Sequence, residues 1–125
     1  MAKTILIVDD SASFRRVEAM ALTGAGYEVV EASDGQDALN KLSQLNNQKI
    51  HLIICDINMP VMGGIEFVTR VKQLASYKFT PVMMLTTEDS DAIKQEGRAA
   101  GAKAWMVKPF KSEQLLNAVS KLILP

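Results

Sequence analysis

Three carboxylates, one hydroxyl and one ammonium stand at the ends of short apolar runs. Asp9 and Asp10 follow Thr4–Val8, Asp56 follows Ile50–Cys55, Thr86 closes Pro81–Thr86, and Lys108 follows Lys103–Val107. These residues are far apart in the chain, so they form a site only if the fold brings the run ends together. Neighbouring carboxylates repel and need protons or a cation. An oxygen-only set suits a hard ion, and Mg²⁺ typically takes one or two carboxylates and keeps waters. Zinc is disfavoured, because the chain has one cysteine, Cys55, and one histidine, His51. With Asp9 and Asp10 holding a cation, Asp56 is left to attack an electrophile. Lys108 and Thr86 could then hold the oxygens of a phosphoryl group. Catalysis of phosphoryl transfer is mostly positioning and charge neutralisation, so an aspartyl-phosphate at Asp56 is the expected product. Each residue alone has a plainer reading: an Asp after a strand is often a helix cap, and a Lys before Pro is usually a solvated charge. The joint pattern at four run ends carries the functional reading.

The elements that must position these residues follow from periodicity. Five runs of strand length occur: Thr4–Val8, Glu28–Ala32, Ile50–Cys55, Pro81–Thr86 and Lys103–Val107. All but Glu28–Ala32 are near-continuously apolar, which predicts strands covered on both faces. Glu28–Ala32 is more polar and reads as an edge strand. Between the runs lie amphipathic stretches. Ser11 or Ser13 can cap a helix with Phe14, Val17 and Ala21 on one face, and Gly24 and Gly26 can stop it. Asp34-Gly35 reads as a turn before Ala38, Leu42 and Leu45. Gly63-Gly64 reads as a tight turn before Ile65, Val68, Val71 and Ala75. A polar stretch with Ile93, Gly97 and Ala100 is the least marked helix. Ser112 and Glu113 open the last, with Leu115, Val119 and Leu122 on one side, and the sequence stops almost there, at Pro125. The result is βαβαβαβαβα, an α/β doubly wound parallel sheet with helices on both faces. Ligands of such sheets bind beyond the carboxyl ends of the strands, where the five chemical residues fall.

Composition narrows the partners. The 125 residues fit one domain. Lys+Arg and Asp+Glu are both 14, so the net charge is zero, which argues against a broad grip on nucleic acid or an anionic membrane. The hydrophobic fraction of 48% is that of a globular chain. No apolar run approaches the ~18 residues that cross a bilayer. One cysteine excludes an internal disulfide, and no signal-peptide pattern opens the chain, so a cytoplasmic protein is expected.

At these residues the sequence resembles the receiver domain of bacterial two-component response regulators, most of all the single-domain, CheY-like chemotaxis type. Four motifs carry the resemblance: Ile7-Val8-Asp9-Asp10-Ser11, Cys55-Asp56-Ile57-Asn58-Met59-Pro60, Leu85-Thr86-Thr87-Glu88 and Val107-Lys108-Pro109-Phe110. It extends over essentially the whole chain and implies one receiver domain over residues 1–125 with no output domain. It implies a flavodoxin-like (βα)5 sandwich with strand order 2-1-3-4-5. It implies that Asp56 accepts a phosphoryl group from a phosphohistidine on a sensor histidine kinase, with Mg²⁺ bound. Asp10, Asp56, the backbone carbonyl of Asn58 and, directly or through water, Asp9 would form the metal set. Lys108 would pair with the phosphoryl oxygens, Thr86 would hydrogen-bond them afterwards, and the Lys108–Pro109 bond would be cis.

The resemblance also implies a switch, in which Thr86 moves toward the phosphoryl group and the aromatic residue at position 105 turns inward. Here that residue is Trp105, bulkier than the usual Tyr and donating only through its indole N–H. Asn58 and Glu88 are expected to tune the lifetime of the phosphoryl group, and the pair matches fast self-hydrolysing receivers. Two surface features depart from the regulators that bind the flagellar motor switch: Asp89-Ser90-Asp91 is acidic, and Ala118 stands on the last helix. Rim charge governs encounter and partner choice, so a phosphate sink or a regulator of another chemosensory protein is the alternative. The expected protein is a monomer that signals to a downstream protein and catalyses only its own phosphoryl chemistry.

Two other protein classes share part of this chemistry or topology. A dehalogenase-type phosphatase also uses an Asp nucleophile and Mg²⁺, but that class wants an acid where Asn58 stands, and a cap domain. A flavin carrier would need a hydroxyl- and Gly-rich phosphate loop where Asp9 and Asp10 would repel phosphate. Cys55 reads as a core thiol, His51 as a surface residue, Phe110 as a core residue, and Met59, Met62, Met83 and Met84 as packing or loop residues.

Overall fold

A computed structural model describes residues 2–46 and 48–123. Five strands alternate with five helices: β1 Thr4–Val8, α1 Ala12–Gly24, β2 Glu28–Ala32, α2 Gly35–Gln44, β3 Leu52–Cys55, α3 Gly64–Val71, β4 Val82–Thr86, α4 Asp91–Ala100, β5 Ala104–Val107 and α5 Ser112–Leu122. The sheet is wholly parallel, in the order β2-β1-β3-β4-β5. Among the described residues no helix is long and apolar enough to cross a membrane.

Strand alternation splits the core into two layers, because successive side chains leave opposite faces of the sheet. Leu6, Val8, Ile53, Cys55 and Met84 point to one face and pack with Ala38 and Leu42 of α2 and with Phe67, Val68 and Val71 of α3. Ile5, Ile7, Leu52, Ile54, Met83 and Leu85 point to the other and meet Leu22 of α1 with Leu115 and Val119 of α5. β1, β3 and β4 are buried throughout, as their near-continuous apolar runs predict. Each fully buried Leu, Ile or Phe contributes roughly 1.5–3 kcal/mol, so these three strands anchor the fold.

β5 departs from the expectation of two covered faces: it is the second sheet edge and is only half-buried, with Val107 exposed. An apolar run signals burial but not how many neighbours a strand has. β3 is shorter than Ile50–Cys55. His51 bonds across to β1 instead, its Nδ1 accepting the Thr4 N–H at 3.0 Å and its own N–H reaching the Thr4 carbonyl at 2.8 Å. In α3 the buried residues are Gly64, Phe67, Val68 and Val71; the helix ends at Val71, leaving Ala75 exposed beyond it.

Helix α1 also differs from its predicted face. Ser11 is the N-cap, accepting the Phe14 N–H on its hydroxyl at 3.3 Å. Val17 is 50% exposed, and the residues that α1 buries are Glu18 and Leu22. The fourth helix is real: Ser90 caps it by accepting the Ile93 N–H, and Gly97 is its buried residue. Leu124 and Pro125, at the end of the last predicted helix, lie outside the described residues.

Candidate functional site

The carboxyl ends of β1, β3, β4 and β5 meet above the sheet, and the side chains there form one connected arrangement. Lys108 extends from the end of β5 and is almost fully buried. Its Nζ donates to Asp9 Oδ2 at 2.5 Å and to Asp56 Oδ2 at 2.9 Å. It also lies 4.3 Å from the ring centroid of Phe14, a cation–π contact that helps hold the ammonium in place. Burial pulls the Lys108 pKa down, but the hydrogen bonds it donates to Asp56 and Asp9 outweigh it, and the net direction is up. The lysine is therefore charged throughout the physiological range.

Asp9 is buried to 2% exposure. Its Oδ1 accepts the Ser11 N–H at 2.9 Å, and its backbone carbonyl accepts from Arg15 at 2.5 Å. Burial raises the Asp9 pKa against the opposing pull of Lys108 and Ser11. Asp56, at the end of the central strand, is held by its own loop: Oδ1 accepts the Ile57 N–H at 2.6 Å. Asp10 is exposed. One carboxylate oxygen from each of Asp9, Asp10 and Asp56 lies within 4.8 Å of the others. Three acids this close, facing a single lysine, retain a net negative charge and an all-oxygen donor set. Both features fit Mg²⁺.

A second group flanks this cluster. Thr86 is fully buried, and its hydroxyl accepts the Glu88 N–H at 3.3 Å. The Asn58 side-chain amide donates to Glu88 Oε1 at 2.8 Å, so the two residues expected to tune the phosphoryl lifetime touch directly. Trp105 is half-buried beneath α4, and its indole N–H donates to the Glu88 backbone carbonyl at 2.9 Å. Gly97 leaves room for the ring, since a Cβ there would lie 2.6 Å from Trp105 Cζ3. The Lys108–Pro109 bond is cis. Gly64 matters through proximity, because a Cβ would fall 2.0 Å from the Asp56 carbonyl oxygen. Asp89 is paired with Lys94 at 2.6 Å, so the acidic stretch before α4 is partly neutralised.

Sequence reasoning missed Phe14, Arg15 and Glu18. Phe14 and Arg15 contact Lys108 and Asp9 from the first turn of α1, which packs against the strand end that carries Asp9. Glu18 is 2% exposed, and its Oε2 is the one buried side-chain polar atom among the described residues that lacks a hydrogen-bond partner. Burial raises its pKa to about 8, with further upward contributions from Asp9, Asp56 and Glu31 against the pull of Lys108. The available signal was the i, i+4, i+8 series Phe14, Glu18, Leu22. A charge in the middle of that series made the adjacent stripe look like the apolar one. Cys55 is fully buried and its thiol pKa is raised, first by burial, consistent with a core thiol.

Residues 5–120 match the sequence profile of the response regulator receiver domain. Among solved structures, the chemotaxis protein CheY4 of Vibrio cholerae is 48% identical, covers 99% of this chain and 100% of its own, and superposes with a TM-score of 0.92. A CheX–CheY complex with BeF3 and Mg²⁺ from Borrelia burgdorferi is 26% identical, covering 98% of this chain and 90% of that one, with a TM-score of 0.89. Protein PilG of Pseudomonas aeruginosa is 35% identical over 115 residues, 92% of this chain and 83% of PilG. The chain spans about half the length of the transcriptional regulatory proteins that it also matches.

Proposed function

The chain belongs to the response regulator receiver domain family, a signalling rather than a classical enzyme family, and on that premise we propose that it is a chemotaxis-type regulator phosphorylated on Asp56. The observation that carries the proposal is the three-carboxylate cluster with Lys108 bridging Asp9 and Asp56. An oxygen of Asp56 attacks the phosphorus of a phosphohistidine on a sensor kinase. The new O–P bond forms as the P–N bond breaks, and the imidazole nitrogen leaves with the electron pair. Asp9, Asp10, Asp56 and the Asn58 carbonyl would hold Mg²⁺, which neutralises phosphoryl charge when bound. Lys108 is already charged and aimed at Asp56, so it can stabilise the transferred oxygens with little rearrangement. The Thr86 hydroxyl supplies a further donor from β4.

Hydrolysis of the acyl phosphate needs a placed water. Asn58 and Glu88 stand at the mouth of the pocket and can orient it, which favours a short-lived phosphoryl state. Trp105 is tethered to the backbone of Glu88, two residues after Thr86. A shift of Thr86 toward the phosphoryl group would therefore reach the β4–α4 loop and the surface of α4 and β5. The signal leaves by that surface, to a protein partner in the cytoplasm, and the protein works as a monomer without nucleic acid or membrane. Asp91 at the start of α4, with Asp89 just before it partly neutralised by Lys94, favours a partner other than the flagellar switch, or a role as a phosphate sink.

Incubation with acetyl phosphate and Mg²⁺, followed by intact mass, tests the proposal. One phosphoryl adduct, labile to hydroxylamine and absent in Asp56→Asn, is the expected result. An adduct that persists in Asp56→Asn, or steady turnover of phosphoesters, would overturn it.

A further inference from the structure

The opposite end of the sheet carries a feature that the phosphoacceptor chemistry does not use. Where β3, β4 and β5 begin, a recess of about 660 Å³ is lined by Lys49, His51, Lys72, Lys78 and Lys103, and among the described residues no carboxylate lines it. In a chain of zero net charge, four lysines around one recess leave the rest of the molecule net negative. None of the four pairs with a carboxylate among the described residues. Lys72 instead donates to the backbone carbonyls of Lys78 and Thr80. The cations also act on one another. The Lys72 pKa is lowered by burial and then by Lys103, and that of His51 by burial and then by Lys49 and Lys3. Because His51 Nδ1 accepts a backbone N–H, its neutral ring carries the proton on Nε2, a donor that has no partner among the described residues.

The recess is not purely polar. Ile50, Pro81, Leu122 and Ile123 contribute to its lining. At its rim Phe79 is 87% exposed, with Lys78 Nζ 5.0 Å from the ring centroid. A small inorganic anion would use the lysines and leave the apolar surface unmatched. A bilayer surface is met by protruding groups, not by a concavity. A chain segment that alternates acidic and aliphatic side chains satisfies the cations, the apolar lining and the exposed ring together.

We propose that this recess docks an acidic, leucine-containing segment of a partner protein, independently of the phosphoacceptor site.

The test uses the full chain and a fluorescein-labelled octapeptide of Glu, Asp and Leu, read by anisotropy at about 50 mM salt, where surface charges are weakly screened. Saturable binding is expected. Lys78→Glu with Lys103→Glu should weaken it by about 10-fold or more, and Phe79→Ala by about 3-fold. Reversing Arg16 and Lys111, which changes net charge equally but away from the recess, should change it by less than about 2-fold. All of these side chains are exposed, and circular dichroism checks that each variant is folded. The proposal is overturned by absence of saturable binding, by an equal loss in the Arg16 and Lys111 control, by undiminished binding of a peptide with Ser for Leu, or by capture on phosphatidylserine vesicles in place of the peptide.

Discussion

Glu18 allows a quantitative test of how this fold treats a buried charge. The carboxyl group is 2% exposed with an orphan oxygen, and burial raises its pKa from 4.5 to about 8. The folded state therefore keeps a proton that the unfolded chain releases above pH 4.5. Stability from this group is complete below pH 4.5, falls by about 1.4 kcal/mol per pH unit, and levels off above pH 8. The full span is about 5 kcal/mol, of which about 3 kcal/mol is already lost at pH 7. Glu18→Gln keeps the shape and cannot titrate. The variant should exceed the wild type by about 1 kcal/mol at pH 5 and by about 4 kcal/mol at pH 7.5. With a slope of about 1–3 kcal/mol per molar urea for a small domain, the urea midpoint of the variant should stand at least 1 M higher at pH 7.5. Urea titrations at pH 5, 6.5 and 7.5, followed by far-ultraviolet circular dichroism, measure this directly. The difference between the two proteins isolates Glu18, because Asp9, whose pKa is also raised by burial, contributes to both. Parallel curves across this range would refute the reasoning and place Glu18 at an ordinary carboxylate pKa.

Other perturbations follow from single contacts. Gly97→Ala places a methyl where the Trp105 ring lies. Overpacking should cost about 1–3 kcal/mol, partly offset by about 1 kcal/mol of helix propensity, and should red-shift the emission of the single tryptophan; unchanged emission with higher stability would contradict the packing. Val61 is a β-branched residue in the left-handed region, φ 67°, and is 83% exposed. Val61→Asn should stabilise the protein by about 1 kcal/mol in chemical denaturation. Asn58→Ala removes the partner of Glu88 and should slow loss of the phosphoryl group by about 10-fold, measured on purified phosphoprotein. A wild-type half-life of hours at neutral pH would refute the role given to Asn58 and Glu88.

Much of the architecture was legible because two periodicities are local properties. Continuous apolar runs marked β1, β3 and β4, whose every residue is buried. Polar spacing in Glu28–Ala32 marked an edge strand, which β2 is. The same logic failed at β5, where Ala104–Val107 is apolar but lies at the other edge with intermediate burial. A run reports the taste of its own side chains, while neighbours are assigned by strand order, a long-range quantity. Glu18 failed for a related reason. A glutamate on a helix is placed toward solvent by default, and only the packing of α1 on the sheet turns it inward.

The sequence by itself determined the chemistry: which residue types follow the strands, that their donors are oxygens and an ammonium, and that the motifs resemble a receiver domain. Those are properties of residue identity and order, and they survive without coordinates. The tertiary structure decided geometry and environment. It joined Asp9, Asp56 and Lys108 into one hydrogen-bonded unit, set Asn58 against Glu88 and fitted Trp105 over Gly97. It also buried Glu18 and drew four lysines around one recess at the far end of the sheet. Charge energies depend on distance and desolvation, and both are set by contacts between residues that the chain order leaves far apart.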